Sequence, residues 1–204
     1  MLAVAAVCLV GLAIDTWLAV AYQYLPADPP AARWVQSIDW GPVAWCFGFF
    51  TWLGGLKQLA AALLALVLVF VIDRRAAPLM LCGSLTGVFY QVMNVLIHRA
   101  RPGPGLVHVL TQQPGSAYPS GHAAFFTSFS VLLLYCLFHR RVPNWAFALG
   151  WVFVVLLIAV ACLSRIYVGA HWPSDIAGGL FLGVGWTALA MATRRLSDPV
   201  LDER

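Results

Sequence analysis

Charged residues are scarce in this chain of 204 residues: they make up 10% of it, whereas hydrophobic residues make up 62%. A soluble domain typically has about 25% charged residues and about 45–50% apolar residues. The composition therefore excludes an ordinary soluble protein and indicates an integral membrane protein. At this length a single domain is the default, so we expect residues 1–204 to form one membrane-embedded domain.

Other absences exclude further classes of protein. No Lys or Arg precedes Arg33, so the first apolar run lacks the basic flank of a cleaved signal peptide and is interpreted as a retained helix. The five cysteines lie in apolar surroundings without the spacing of metal ligands, which argues against a disulfide framework and a zinc site. No carboxylate cluster suggests a divalent metal, so we expect no cofactor. The expected partners are a membrane lipid and the bilayer, not nucleic acid, and the oligomeric state is left open.

Long apolar runs predict an all-α bundle of six transmembrane helices, since a bilayer is crossed by about 20 helical residues. The predicted spans are Leu2–Tyr24, Leu56–Ile72, Leu79–Ile97, His122–Phe138, Trp145–Leu163 and Ile176–Ala192. A proline-rich loop, 25–42, follows the first span. The aromatic segment 43–55 comes next and is short for a span. It is either an interfacial or re-entrant helical segment between helices 1 and 2, or the first part of one long second helix.

Basic residues gather at one end of this predicted bundle. They are Arg74, Arg75, Arg140, Arg141, Arg194, Arg195 and Arg204. Because Lys and Arg concentrate in cytoplasmic loops, this end and both termini are predicted to be cytoplasmic. The opposite, extracytoplasmic end carries Arg101, His122, Arg165, His171 and Asp175. The spans were assigned from hydrophobicity alone, so this co-location independently supports one polar site at that face.

The most polar stretch between two spans runs from Ser164 to Asp175. Pro173 favours the first turn of a helix, which places His171 just before the helix and Asp175 within its first turn. From there Asp175 is predicted to accept a hydrogen bond from one imidazole nitrogen of His171, which leaves the other nitrogen as a nucleophile. The alternative is that Asp175 only caps the helix and His171 is an interface residue.

Two further stretches supply groups that suit a phosphate. Pro119-Ser120-Gly121-His122 opens a helix, where the backbone N–H groups of Ser120 and Gly121 can bind phosphate oxygens and His122 can donate a proton. A simple turn with a helix cap is the alternative. Arg101 and Arg165 lie where helices meet loops, and guanidinium groups clamp phosphate bidentately. Taken singly, each is equally consistent with an arginine that reaches out to the membrane interface.

Together these residues suit phosphoryl transfer through a covalent phosphohistidine. In this hypothesis His171 attacks phosphorus, His122 protonates the leaving oxygen, and Arg101, Arg165 and the Ser120 and Gly121 amides stabilise the charge on the remaining oxygens. Water then cleaves the phosphohistidine with His122 as the base. The reaction is predicted to need no metal.

The three stretches also resemble the type 2 phosphatidic acid phosphatase family. Its pattern is Lys, six residues, Arg-Pro; then Pro-Ser-Gly-His; then Ser-Arg, five residues, His, three residues, Asp. The second and third blocks are complete here, at 119–122 and 164–175. The resemblance implies a membrane enzyme with its site on the extracytoplasmic face. It implies lipid phosphates or diphosphates as substrates, such as phosphatidic acid, phosphatidylglycerol phosphate or undecaprenyl diphosphate. The short tail favours a bacterial inner membrane.

The first block departs from the family pattern, because Asn94 stands where the family has Lys. An Asn donates a hydrogen bond to a phosphate oxygen but brings no charge. His98, Arg99 or Lys57 are candidates to replace the missing cation. The alternative function is therefore a catalytically weakened protein of the same fold that binds lipid phosphate.

Overall fold

The structure is a computed structural model that describes residues 1–201. Over that range it is all-helical, with nine helices: α1 Leu2–Ala21, α2 Asp28–Ser37, α3 Val43–Trp52, α4 Leu56–Ile72, α5 Ala77–Leu96, α6 Gly121–Phe138, α7 Asn144–Tyr167, α8 Pro173–Ala192 and α9 Arg194–Leu201. Helices α1, α5, α6, α7 and α8 are long and apolar enough to cross a membrane, and α3 with α4 adds a sixth span if the bent pair counts as one. The prediction of an all-α membrane bundle is confirmed.

Helices α6 and α8 form the centre of the bundle. In each, 61% of an apolar stretch of 18 residues is buried inside the protein, against 17% in α1 and in α7. Their contact depends on glycine: a Cβ on Gly179 would lie 2.5 Å from the carbonyl oxygen of Ser120, and one on Gly183 would lie 2.9 Å from that of Ala124. Small residues let helix backbones approach closely in membranes. The beginnings of α6 and α8 therefore lie side by side at one end of the bundle.

Large apolar side chains cover the outer faces of the peripheral helices. Leu64 of α4 is 70% exposed and Leu96 of α5 is 71% exposed. Such exposure is costly in water but matches a hydrocarbon environment, where the surrounding lipid tails are as apolar as the side chains.

The aromatic segment forms a helix of its own, so the alternative that it begins one long, continuous second helix is wrong. Helices α3 and α4 meet at an angle of 88°. Gly55, at the bend, has a φ of +64°, a left-handed conformation that glycine adopts without steric cost. Helix α3 packs against α7 instead of continuing α4. This arrangement brings the last turn of α3 to the site end of the bundle.

Two segments predicted as irregular are partly helical. The loop 25–42 contains α2, which begins with Asp28 followed by two prolines, a favourable first turn of a helix. Its buried Ala32 and Val35 pack with the cluster around Trp172, so tertiary contacts stabilise this short helix. The tail contains α9, and the predicted cytoplasmic Arg204 lies outside the described residues.

Candidate active site

Five parts of the chain meet around the two histidines at this end of the bundle. They are the last turn of α3, the segment 97–120 after α5, the beginning of α6, the last turn of α7, and the turn 168–172 that leads into α8. The backbone N–H of Ser120 donates to the carbonyl oxygen of Asp175 at 3.0 Å and so joins the beginnings of α6 and α8. The tight turn before His171 requires Gly169, whose φ is +68° and whose added Cβ would lie 2.4 Å from the carbonyl oxygen of His108.

His171 lies buried in the middle of this arrangement, 5% exposed. Its Nδ1 lies 2.7 Å from the carbonyl oxygen of Ala117. A carbonyl only accepts, so Nδ1 carries the hydrogen and Nε2 is the unprotonated nitrogen. Burial, together with the positive charges of Arg101 and Arg165, holds the pKa of His171 well below its ordinary value, which keeps the ring neutral.

Asp175 is fully buried and lies near the same ring nitrogen of His171, Nδ1. Its Oδ2 lies 3.8 Å from Nδ1 and accepts a hydrogen bond from the backbone N–H of Trp172 at 2.7 Å, as a capping residue does. The nearest acceptor of the Nδ1 hydrogen is thus the carbonyl of Ala117, with the Asp175 carboxylate behind it. The orienting role predicted for Asp175 stays a prediction.

Arg101 lies on the other side of the ring. Its Nη1 lies 3.4 Å from Nε2 of His171 and donates to the carbonyl oxygen of Ala170 at 2.7 Å. The same guanidinium donates to the carbonyl oxygens of Pro114, Gly115 and Ser116, which fixes its position above the loop. A fixed positive charge therefore borders the free nitrogen of His171.

Arg165 belongs to α7, because that helix continues to Tyr167 instead of ending at Leu163 as predicted. It is 1% exposed, and its Nη1 donates to Oγ1 of Thr51 on α3 at 3.1 Å. Its Nε is buried and has no hydrogen-bond partner among the described residues. An unsatisfied buried donor costs about 1–3 kcal/mol. This donor is therefore well suited to an anionic oxygen from a ligand.

His122 occupies the first turn of α6, where Nε2 donates to the carbonyl oxygen of Phe50 at 2.8 Å. The ring lies within electrostatic range of Arg165 and His171. Helix α3 thus supplies a partner to both His122 and Arg165, through Phe50 and Thr51. The Nδ1 of His122 is the nitrogen left for proton exchange.

Ser120 and Gly121 of the second block serve the helix packing. Oγ of Ser120 caps α6 by accepting from the N–H of Ala123, and the N–H of Ser120 is committed to Asp175. Gly121 lies against the ring of Tyr90, where an added Cβ would lie 2.8 Å from the ring carbon. A bulkier residue at 121 would therefore displace Tyr90.

Residues 75–198, more than half of the chain, match the PAP2 superfamily. The chain belongs to this superfamily. It is 27% identical over 171 residues to an undecaprenyl-diphosphatase from Sulfolobus acidocaldarius, covering 81% of this chain and 78% of that protein. It is 29% identical over 125 residues to a decaprenylphosphoryl-5-phosphoribose phosphatase from Mycobacterium tuberculosis, covering 59% of this chain and 64% of that protein.

A solved PAP2 structure has the same fold. It is a transmembrane phosphatidylglycerolphosphate phosphatase from Bacillus subtilis, and it superimposes with a TM-score of 0.73 over 90% of this chain and 94% of the other. The two sequences are 18% identical, so this likeness concerns the fold alone.

Asn94, the departure from the PAP2 pattern, holds the loop beside His171. Its Nδ2 donates to the carbonyl oxygens of Ser116 at 2.9 Å and Tyr118 at 3.3 Å. Those residues flank Ala117, whose carbonyl accepts from His171. In this PAP2 chain the side chain of Asn94 therefore fixes the position of the Ala117 carbonyl, which accepts the Nδ1 hydrogen of His171.

Two of the three proposed substitutes for the missing lysine, Lys57 and Arg99, have partners elsewhere. Nζ of Lys57 donates to the carbonyl oxygen of Trp52 and lies 4.2 Å from the centre of its ring, and the side chain of His98 is exposed. Arg99 points into the protein, where it pairs with Asp28 and Asp175.

Sequence reasoning missed the partners behind this PAP2 site: Asp28, Thr51, Ser174 and the carbonyl groups of Phe50 and Ala117. Asp28 and Thr51 precede the first motif by at least 40 residues of sequence and share no motif with it. Only Asp28 had a local signal, since an Asp before two prolines marks the start of a helix. Backbone acceptors leave no trace in the sequence.

Proposed function

We propose that this PAP2 chain hydrolyses a lipid phosphate or diphosphate through a phosphohistidine on His171. One observation carries the proposal: Nδ1 of His171 donates to Ala117, so the unprotonated Nε2 faces Nη1 of Arg101 at 3.4 Å. A neutral, oriented imidazole beside a fixed cation is suited to attack a phosphorus whose oxygens that cation binds.

In the first step Nε2 of His171 forms a bond to phosphorus as the bond from phosphorus to the leaving oxygen breaks. His122, protonated on both ring nitrogens, gives its Nδ1 proton to that oxygen and keeps the Nε2 hydrogen bond to Phe50. Arg165, with its unpartnered Nε, and Arg101 bind the remaining phosphate oxygens. The N–H of Gly121 is a further candidate donor.

In the second step water attacks phosphorus and breaks its bond to nitrogen. His122 takes the proton from that water, and inorganic phosphate leaves with His171 restored. The proposed step uses no metal, and phosphate release in the presence of a chelator tests this part of the proposal.

The substrate class we propose is a polyprenyl diphosphate or monophosphate. Relatives from Sulfolobus acidocaldarius and Mycobacterium tuberculosis carry names for phosphatases of such lipids. An apolar cleft of 590 Å³ between α4, α5 and α6 reaches from Gly121 and Tyr90 toward the middle of the bundle, and it suits a hydrocarbon chain whose head group lies at the site. The basic opposite end favours a site on the extracytoplasmic face of the membrane.

Phosphate release in detergent micelles containing a chelator tests the proposal. The panel contains undecaprenyl diphosphate, undecaprenyl phosphate, phosphatidic acid, phosphatidylglycerol phosphate and a soluble phosphate ester. We expect release from the polyprenyl lipids that His171→Gln lowers by at least ~10³-fold, since it removes the nucleophile. His108→Gln is the matched control, because His108 is an exposed histidine of the same membrane end.

Enzyme quenched in detergent at alkaline pH supplies the second measurement. A phosphoryl group on the peptide containing His171, stable in base and labile in acid, is expected in the wild type and absent in His171→Gln. Phosphate release that survives His171→Gln would exclude the phosphohistidine. If no lipid releases phosphate but the protein still binds phosphate or lipid, the result would favour the alternative function, a catalytically weakened protein that binds lipid phosphate.

A further inference from the structure

A buried charge network lies behind His171, on the side away from Arg101. The side chains of Arg99 and Asp175 are 0% exposed and that of Asp28 is 3% exposed. Nη1 of Arg99 lies 2.5 Å from Oδ1 of Asp175, and Nη2 lies 3.1 Å from Oδ2 of Asp28. The established family pattern and the proposed phosphate site use neither Arg99 nor Asp28.

The contacts of the Arg99 guanidinium are all to other groups of the protein within the described residues. Besides the two carboxylates, Nη1 donates to Oγ of Ser174 at 2.8 Å, and Nε donates to the carbonyl oxygen of Gln23 at 3.2 Å. Arg101 is partly exposed, whereas the Arg99 guanidinium is shielded from solvent and paired with two carboxylates, so it is not available to a phosphate. Arg99 therefore does not replace the lysine that is missing at position 94.

Arg99 contacts both groups that face Nδ1 of His171. Its side chain holds the carboxylate of Asp175. Its backbone holds the segment of Ala117: the N–H of Ala117 donates to the carbonyl oxygen of Arg99 at 2.9 Å, and the N–H of Arg99 donates to Oγ of Ser116 at 3.2 Å. One residue thus connects the acceptor of the Nδ1 hydrogen with the carboxylate behind it.

Asp28 fixes this arrangement from α2. Its Oδ1 accepts from the N–H of Ser174 at 3.0 Å and its Oδ2 accepts from the hydroxyl of Ser174 at 2.6 Å, so Asp28 also caps the beginning of α8. Its charge offsets that of Arg99. Breaking a buried pair by removing one partner leaves the other charge uncompensated.

We infer that Asp28 and Arg99 form a positioning pair that sets the tautomer and orientation of His171 for phosphoryl transfer, without contacting the phosphate. The inference rests on the proposed function for its kinetic consequence but not for its structural one. In this role the pair acts on His171 through Asp175 and Ala117. Loss of the pair is then expected to slow the chemical step and leave the binding of phosphate nearly unchanged.

Kinetics of purified full-length protein in micelles test the role. Asp28→Asn, which is isosteric but uncharged, is expected to lower kcat by about tenfold or more and to change KM and inhibition by inorganic phosphate by less than about twofold. Arg99→Lys is expected to retain more activity than Arg99→Gln, because it keeps the charge between the two carboxylates. The matched control is Asp73→Asn, which breaks the exposed ion pair with Arg141 at the opposite end.

The tautomer of His171 provides a measurement that does not depend on turnover. In ¹⁵N-histidine-labelled protein, with the His171 signals assigned through His171→Gln, we expect hydrogen on Nδ1 in the wild type and a larger fraction on Nε2 in Asp28→Asn. Thermal unfolding in the same detergent shows how much of each variant is folded.

The two measurements separate the possible failures. A folded Asp28→Asn protein with the wild-type tautomer and wild-type kcat would overturn the positioning role and leave only a structural one. Weaker inhibition by phosphate in Arg99→Lys would overturn it by making Arg99 a phosphate ligand. If the wild type releases no phosphate, the proposed function fails, and the tautomer alone decides the positioning role.

Discussion

The two ends of the bundle use charge in opposite ways. At the basic end Arg141 pairs with Asp73 at 3.1 Å, and their side chains are 39% and 15% exposed. At the site end Arg99 pairs with Asp175 and Asp28 inside the protein, and Arg165 is 1% exposed. An exposed pair contributes about 0–1 kcal/mol, whereas buried charges require partners on every side. The difference indicates that the site end is built to hold charge out of solvent.

Replacing a buried arginine tests this comparison most strongly. Arg165→Lys is expected to lower kcat/KM by about 10²-fold, because the ammonium group loses the fork geometry and the unpartnered Nε that suit two phosphate oxygens. Phosphate release at limiting substrate is the measurement. Arg195→Lys, an exposed arginine of the basic end, is the control and should stay within about twofold. Equal losses of kcat/KM in Arg165→Lys and Arg195→Lys would show that the two ends do not differ in how they use charge.

The next largest effect is expected from loosening the loop that carries the Ala117 carbonyl, the acceptor of the His171 hydrogen. Asn94→Ala removes two hydrogen bonds to the carbonyl oxygens that flank Ala117. Loss of about 1.4 kcal/mol of transition-state stabilisation corresponds to tenfold in rate, so kcat is expected to fall by about tenfold. Asn144→Ala, an exposed asparagine at the other end, should leave kcat unchanged.

Asn94→Lys distinguishes two possible roles of position 94, which are to hold the loop beside His171 or to bind phosphate. If the amide serves the loop, a lysine gives no gain with any lipid, because its flexible ammonium group does not reproduce both hydrogen bonds. A rise in kcat/KM for every substrate would instead show that the chain lacks a phosphate-binding cation. Both variants are compared with the same micellar assay.

The pH dependence of the rate sharpens the assignment of the nucleophile. Burial and two arginines hold the pKa of His171 below its ordinary value, so the protonated, inactive form appears only at a pH below about 6.5. Activity should therefore persist as pH falls through 6.5 and be lost at lower pH. A profile of kcat/KM from about pH 4 to 9 measures this acidic limb. A limb at or above 6.5 would contradict a buried neutral His171.

The smallest effect is expected for the exposed pair. Asp73→Asn should change the free energy of unfolding by less than about 1 kcal/mol and leave kcat within about twofold, since solvent and salt screen this pair. Thermal unfolding in detergent and phosphate release measure the two quantities. A large loss of activity would show that the basic end is coupled to the site.

Hydrophobicity and three short motifs were sufficient to predict the class of fold and the residues that meet. Apolar runs determine spans because a bilayer leaves few structures that satisfy the backbone. The spacing of Pro173 and Asp175 predicted the beginning of α8 correctly, since helix starts follow local rules. The helix of 28–37 was missed because it depends on contacts of Ala32 and Val35 with distant residues.

The sequence by itself determined an all-helical membrane protein of the PAP2 superfamily with two histidines, two arginines and an aspartate at one end. Only the tertiary structure decided which hydrogen-bond and ion-pair partners position these five side chains. The carbonyl of Ala117 binds His171, α3 supplies Phe50 and Thr51, and Arg99 turns inward to Asp28 and Asp175. The physical reason is that backbone acceptors are the same at every residue, so the chain path alone selects which of them a buried side chain meets.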